Sequence, residues 1–419
     1  VSDEFESQIE VVEEASVAEA PAPVGRGPGA AYRRATRPIR RGLSATRTWY
    51  DHAPKVARAS VVLAAIALAA LLPQMLPYLT AQADYWTFIL TKIGTAALLA
   101  LGLNVVVGFA GLLDLGYVAF FAVGAYSFAV LSGAAKFAVV QYEVSSGKIH
   151  GVSALDYLPR WRPIFWLIFF AAIAIAVVAG VLLGAPTLRL RGDYLAIVTL
   201  GFGEIVRVTA NNSDSTVNGP RGVQSIPHPE LFGYKFLLAN IPYYYLLLAI
   251  IVIWIFFLRR LNDSRIGRSW AAIREDELAA AAMGIPTVRM KLMAFAIGAA
   301  VASLGGVVYA AQVGFISPDT FSLFNVSFGS VTILAMVTIG GMGGIAGPIV
   351  GAALVIFLPE YFRFLQDGRL MVFGAALVIV MILRPQGLIP SRRRAAELKG
   401  GDVRDTSMFE VREMDRGGH

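Results

Sequence analysis

The chain has 419 residues, 56% of them apolar and only 16% charged, and its mean hydropathy is positive; a soluble protein carries about 25% charged residues, so this is a membrane protein. The net charge of +7 does not argue for nucleic acid, because Lys and Arg fall between and beyond the apolar runs, where they set which loops face the cytoplasm. The absence of cysteine excludes a disulfide framework, a thiolate metal site and a cysteine nucleophile.

Residues 1–57 do not read as a targeting signal, which has a short basic start followed at once by an apolar core. Here the start is acidic (Asp3, Glu4, Glu6, Glu10, Glu13, Glu14), and a Pro/Gly/Ala stretch at 21–30 leads into a basic run that includes Arg33, Arg37, Arg41 and Arg47. Such a segment buries too little apolar surface to offset its ordering entropy. The expectation is a disordered cytoplasmic tail, whose basic part either lies on anionic headgroups or is a plain solubilising extension.

A helix needs about 20 apolar residues to cross the hydrocarbon core. Predicted spans follow at about 59–80, with Pro73 and Pro77 kinking its outer half, then 86–107, 115–133 and 163–185. A short fifth run, 194–208, carries Glu204 and Arg207, and a sixth covers 239–258. After a polar loop at 259–291, spans are predicted at 292–312, 326–341, 346–364 and 369–384. The fold class expected is all-α: a polytopic membrane protein of about ten transmembrane helices, with a permease domain over 58–390 and a carboxyl-terminal cytoplasmic tail over 391–419. The amino-terminal tail, the 187–191 turn, the 259–291 loop and the carboxyl-terminal tail are all basic. Ten crossings put them all on the cytoplasmic side, with loops 134–162 and 209–238 outside. Glycine is frequent in the third, fifth and eighth spans, which can therefore be broken or re-entrant where protein or a water-filled cavity satisfies the backbone.

The chemistry is that of a passage rather than an enzyme. The four histidines, His52, His150, His228 and His419, lie outside the spans at no metal-ligand spacing, and neither HExxH nor GxSxG occurs. No GxxxxGK[ST] occurs either, so the chain does not itself cradle nucleotide phosphates. Gly102, Gly108, Gly111, Gly116 and Gly124 punctuate one stretch, and Gly340, Gly341, Gly343, Gly344 and Gly347 another. Small residues let transmembrane helices approach closely, or they break helices beside a translocation path; the second cluster favours a break, because so many glycines make continuous helix unfavourable. Ionisable residues near the spans are Lys92, Asp114, Asp193, Glu204 and Arg207. An intramembrane charge is costly and so points to function, although Lys92 can snorkel, Asp114 can cap a helix, and Glu204 can pair with Arg207 three residues on. By polarity and position, Asn104, Asp114, Tyr194 and Glu204 are candidates for lining a path.

Four blocks carry a resemblance. They are LGLNVVVGFAGLLDLGYVAFFAVGAY at 101–126, RLRGDYLAIVTLGFGEIVR at 189–207, IGRSWAAIREDELAAAAMGI at 266–285, and IGGMGGIAGPIVGA at 339–352. Together, and in this order, they resemble the LivM-type permease subunits of branched-chain amino-acid importers; the likeness covers about residues 60–395 and leaves the first 57 uncovered. It implies the fold of an ABC importer permease in a bacterial inner membrane, with both termini cytoplasmic. It also implies a homologous, LivH-like permease partner, two cytoplasmic ATPase subunits that bind the ATP and Mg, and a periplasmic substrate-binding protein. No cofactor and no metal are expected in this chain.

The resemblance makes the 259–291 loop the ATPase-coupling surface, and the residues suit the task. Ser269 is expected to cap one short helix and Asp276 another; the alanines 279–282 favour helix, and Gly284 with Pro286 ends it. Trp270, Ile273, Leu278 and Met283 supply apolar anchors inside a rim of Arg268, Arg274, Glu275 and Glu277, which is interface composition. The wider importer pattern is Glu-Ala-Ala, three residues, then Gly. Here Leu278, Ala279 and Ala280 stand at that spacing from Gly284, and Glu277 lies one position early. Two alternatives stay open: the same architecture with urea or a short-chain amide as cargo, and an ion-coupled secondary transporter using Asp114, Glu204 and Arg207.

Overall fold

A computed structural model of the chain describes residues 55–132, 164–187, 193–231, 234–236 and 240–363, with scattered positions from 371 to 389. The amino-terminal tail up to residue 54, the 134–162 loop, Arg189 and Arg191, most of the predicted 369–384 span and the carboxyl-terminal tail lie outside the described residues. The chain divides into two units, Val1–Ala69 and Ala70–His419. Of the first, only the start of helix α1 (Lys55–Leu79) is described; every other described element belongs to the second.

The described residues are almost wholly helical. After α1 come α2 (Ala83–Leu103), extended by a π-helical segment at Asn104–Phe109, then α3 (Val118–Leu131), α4 (Ile164–Thr187), α5 (Asp193–Asn212) and the single turn α6 (Asp214–Val217). They are followed by α7 (Asn240–Asp263), α8 (Arg265–Glu275), α9 (Glu277–Ala282), α10 (Thr287–Val313), α11 (Ser330–Gly340) and α12 (Ala346–Tyr361). Strands β1 (Val223–Gln224) and β4 (Phe315–Ile316) pair antiparallel with Val223 opposite Ile316, and β2 (Glu230–Leu231) pairs with β3 (Tyr234–Lys235).

Among the described residues, four helices are long and apolar enough to cross a membrane: α2 with its π extension, α4, α7 and α10. The molecule is thus a polytopic helical membrane protein. Three predicted spans are shorter than expected. α3 has 14 residues and α11 has 11, lengths of about 21 and 16 Å at 1.5 Å per residue against a hydrocarbon core of about 30 Å. α12 has 16 residues. The apolar runs continue beyond α3 and α11, but irregular segments at 110–117 and 322–329 interrupt them.

α2 and α10 form the centre. α10 packs against α2, α3 and α4, while α2 also contacts α7 and α12, and α12 pairs with α11. Both central helices bury most of their length, whereas α4 and α7 leave most of theirs exposed, as helices facing lipid do. Without a hydrophobic force between helices in lipid, close packing has to hold them together. The α3–α10 crossing shows how glycine permits it: a Cβ on Gly124 would lie 2.4 Å from Cα of Ser303, and one on Gly306 would lie 2.3 Å from the Phe121 carbonyl oxygen.

Candidate functional site

The polar loop between α7 and α10 folds into two short helices, α8 and α9, that meet at Asp276. Ser264 adopts extended backbone before α8, and its hydroxyl accepts from the Gly267 N–H at 3.4 Å. Ser269, expected as that cap, lies inside α8 and donates to the Arg265 carbonyl; the cap belongs one turn earlier, where the chain leaves helical geometry. Asp276 ends α8 in extended backbone and caps α9, accepting from Leu278 N at 2.8 Å and Ala279 N at 3.0 Å. Past Ala282 the chain turns left-handed at Gly284, φ +82°. There Gly284 N donates to Ala281 O and Ile285 N to Ala280 O, the paired bonds of a Schellman stop.

The loop has an inner and an outer face. Ile266, Trp270 and Ile273 stand at helical spacing on the inner stripe of α8; Trp270 is fully buried, and its indole N–H donates to the Met290 carbonyl at 2.7 Å. Ala280 is buried under α9, and the half-buried Glu277 meets the buried Lys291 ammonium at 2.5 Å. On the outer face, Leu278 is 63% and Met283 83% exposed, beside exposed Arg268, Glu275, Ala279 and Gly284. Of the apolar residues expected as anchors, two therefore fix the loop to its own protein and two face outward.

Arg274 points inward. Its Nη1 donates to the carbonyl of Gly108 at 2.9 Å, 166 residues away, in the π-helical end of α2. The approach depends on Gly111, which has φ +73° and whose missing Cβ would sit 2.5 Å from Arg274 Cγ. The same π segment is fastened on its other side. Asn104, completely buried, donates from Nδ2 to the Gly344 carbonyl at 2.8 Å and accepts at Oδ1 from the Gly343 N–H at 2.9 Å. Gly343 belongs to the glycine turn between α11 and α12, where Gly341 (φ +117°) and Gly343 (φ +77°) take backbone conformations that disfavour side chains. Leu388 N and Ile389 N donate to the carbonyls of Ile339 and Gly340 just before that turn. One connected path of hydrogen bonds thus runs from α8 through the end of α2 to the break between α11 and α12.

The other path candidates lie apart. Asp114 is buried in the 110–117 segment, where Oδ1 accepts from Gly116 N at 2.9 Å and Oδ2 has no hydrogen-bond partner among the described residues. It makes a local turn and does not cap α3. The start of α3 is instead held from outside, the Ser330 hydroxyl accepting from Val118 N at 2.9 Å, while Leu115 N donates to Thr199 Oγ1 at 3.0 Å. Tyr194 is exposed near the start of α5. Glu204 pairs with Arg207, whose Nε donates to it at 2.9 Å, and Arg207 also faces Asp319 at 3.8 Å. Ser330 lies outside the four blocks, and Thr199, within the 189–207 block, is a single hydroxyl in an apolar run, so no spacing in the sequence singles either out.

Residues 85–381 match the family described as "Branched-chain amino acid transport system / permease component". The chain is 38% identical over 329 residues to the high-affinity branched-chain amino acid transport system permease protein LivM of Salmonella typhimurium, covering 73% of this chain and 70% of that one. It is 39% identical over 326 residues to the Escherichia coli protein of the same name, with the same shares. It is 26% identical over 338 residues to a probable branched-chain amino acid transport permease protein LivM of Methanocaldococcus jannaschii, covering 74% of this chain and 94% of that one. No solved structure gives a significant match.

Proposed function

The chain belongs to the branched-chain amino-acid transport permease family, and on that premise we propose that it is the membrane-spanning permease of an ATP-driven importer of leucine, isoleucine and valine. The complex would contain a homologous permease, two cytoplasmic ATPase subunits and a periplasmic binding protein, in a bacterial inner membrane with both termini of this chain cytoplasmic. ATP and Mg would be bound by the ATPase subunits alone.

The carrying observation is the two-faced loop. A surface that exposes Leu278 and Met283 within a charged rim, while Trp270 anchors it from behind, is suited to bind a partner and to pass on its motion. The ATPase would dock on Arg268, Glu275, Leu278, Ala279, Met283 and Gly284. Movement of α8 would then reach the π segment through Arg274 and Gly108, and the break between α11 and α12 through Asn104. A π-helical turn suits a hinge, since such turns concentrate at functional positions inside helices. Asn104, Asp114, Tyr194 and Glu204 are the proposed path candidates; the bonds of Asn104 to Gly343 and Gly344 support a part for it in the joint.

The absence of native cysteine makes a thiol test specific. Met283→Cys in the assembled importer places one thiol on the outer face. A short bifunctional reagent is expected to join it to an ATPase subunit, whereas a thiol at the buried position, Ile273→Cys, is not joined. Equal or absent cross-linking at both positions contradicts the docking face.

A further inference from the structure

α5 is held on one side and open on the other. Its inner face rests on α3 and on the irregular segment before α3. Thr199 accepts from the Leu115 N–H at 3.0 Å, and a Cβ on Gly116 would lie 1.9 Å from the Thr199 carbonyl oxygen, so the two backbones touch there with no side chain between them. Phe202 meets Phe120 with ring centroids 6.2 Å apart. The opposite face carries Tyr194, Ile197, Val198, Gly201, Ile205 and Val208 on successive helical turns. Ile197 is 65% and Ile205 62% exposed. Among the described residues nothing lies within 4 Å of a Cβ added at Gly201.

Neither lipid nor water suits this face. α4 shows what a lipid face looks like: Leu167, Phe170, Val178 and Leu182 are exposed on a helix that carries no charged residue. α5 is long enough to cross, at 20 residues, yet it is not among the helices apolar enough to do so. Past its middle, Glu204 and Arg207 border the stripe with side chains 38% and 28% exposed. Charges at bilayer depth face protein or a water-filled space rather than lipid. A continuous apolar stripe, in turn, marks a contact surface rather than one for water. Protein is the cover that meets both demands.

Charge and depth say which protein. Arg207 Nε donates to Glu204 at 2.9 Å, and its Nη1 lies 3.8 Å from Asp319 in the turn at Pro318–Phe321. Two carboxylates thus share one guanidinium, and among the described residues no second cation pairs with either. The excess negative charge sits at Asp319, whose side chain is 90% exposed. A second copy of this chain would set that excess against itself. The stripe from Tyr194 to Val208 runs about 21 Å along the helix at 1.5 Å per residue, which is deeper than a soluble subunit reaches into a bilayer of about 30 Å.

We propose that the open face of α5 is the seat of the homologous permease, which covers the stripe, closes on Gly201 and sets a Lys or Arg against Asp319. Small residues such as Gly201 let transmembrane helices approach closely, and opposite charges fix the register of the contact. The proposal rests on the importer reading and deepens it, because it assigns the surface on which the two permeases meet.

The test uses the assembled importer in vesicles. Ile197→Cys and Gly201→Cys, in a chain without native cysteine, each carry a thiol-linked benzophenone, and Phe170→Cys on α4 is the lipid-facing control. After illumination, mass spectrometry identifies what is joined to the labelled residue. The homologous permease is expected at Ile197→Cys and Gly201→Cys, and lipid alone at Phe170→Cys. In parallel, a tag on this chain measures how much homologous permease is recovered with it. Asp319→Lys, which sets like charges together, is expected to lower recovery about tenfold or more, whereas Asp319→Glu keeps it near native. Lipid alone, a different subunit or a second copy of this chain joined at both α5 positions overturns the seat. So does native recovery with Asp319→Lys, or an equal loss with Asp319→Glu, which keeps the charge. If the native tagged chain recovers no homologous permease, the importer reading itself fails; if it recovers one while both α5 thiols join lipid, only the seat fails.

Discussion

α2 ends in two different ways. At Asn104–Phe109 the helix widens into a π segment whose polar groups are engaged from two sides, by Arg274 of α8 and by Gly343 and Gly344 of the glycine turn. Near Phe88 and Lys92 the same helix borders a cavity and irregular chain. The contrast teaches where a transporter can put rigidity and where it can put space. A joint that passes motion needs short, satisfied hydrogen bonds between elements distant in sequence.

The contrast breaks most sharply at Asn104. Asn104→Leu leaves the Gly343 N–H and the Gly344 carbonyl without their partner; a fully buried group left unsatisfied costs about 1–3 kcal/mol, and because both are only partly buried the variant is expected to lose about 2–4 kcal/mol in all. Ser327→Ala at the cavity is expected to cost about 0.5 kcal/mol or less. Thermal unfolding in detergent compares them, and equal losses would erase the distinction between joint and cavity.

A smaller effect is expected at Glu277, which lies behind the docking face. Glu277→Ala strands the buried Lys291 ammonium. Breaking a buried pair costs about 3–5 kcal/mol, but the Glu277 side chain is 29% exposed and solvent screens the pair, so about 2 kcal/mol is expected. Adding Lys291→Met to Glu277→Ala should restore most of it; a double variant no more stable than the single one would show that the pair is not the cause.

Smaller again is Gly284→Ala. Among the described residues nothing lies within 4 Å of the added Cβ, but φ is +82°, and a left-handed residue with a side chain costs about 1–2 kcal/mol. The loss should appear as weaker ATPase retention on pull-down with little change in the melting of the permease, because the strain is confined to the end of α9. Full retention would place docking elsewhere.

Local features are legible in the sequence and distant ones are hidden. Asp276 as a cap and Gly284 as a stop depend on residues only a few positions apart, and the amino-acid types suffice to see them. Ser269 precedes helix-favouring residues and so reads as the cap of α8, but the extended backbone that a cap needs lies at Ser264, and only the fold supplies it. Hydropathy places α2, α4, α7 and α10 well, since uninterrupted apolar length is what those helices have. It overextends α3 and α11, because apolar composition continues through the irregular segments around Asp114 and Asn325 that break them. The bonds from Arg274 to Gly108 and from Asn104 to Gly343 join residues 166 and 239 positions apart. No spacing rule reaches that far, although the glycine cluster does point to a broken helix at one end of the second bond.

If the loop and the joint work together, Arg274 carries motion from the docked ATPase into the end of α2. The direct measurement is the number of leucine molecules taken up per ATP hydrolysed by the reconstituted importer carrying Arg274→Ala. The result expected is that ATPase subunits stay bound and hydrolysis continues, while uptake per ATP falls about tenfold or more, as loss of a hydrogen bond from a charged donor would allow. A native ratio of uptake to hydrolysis in Arg274→Ala would contradict it.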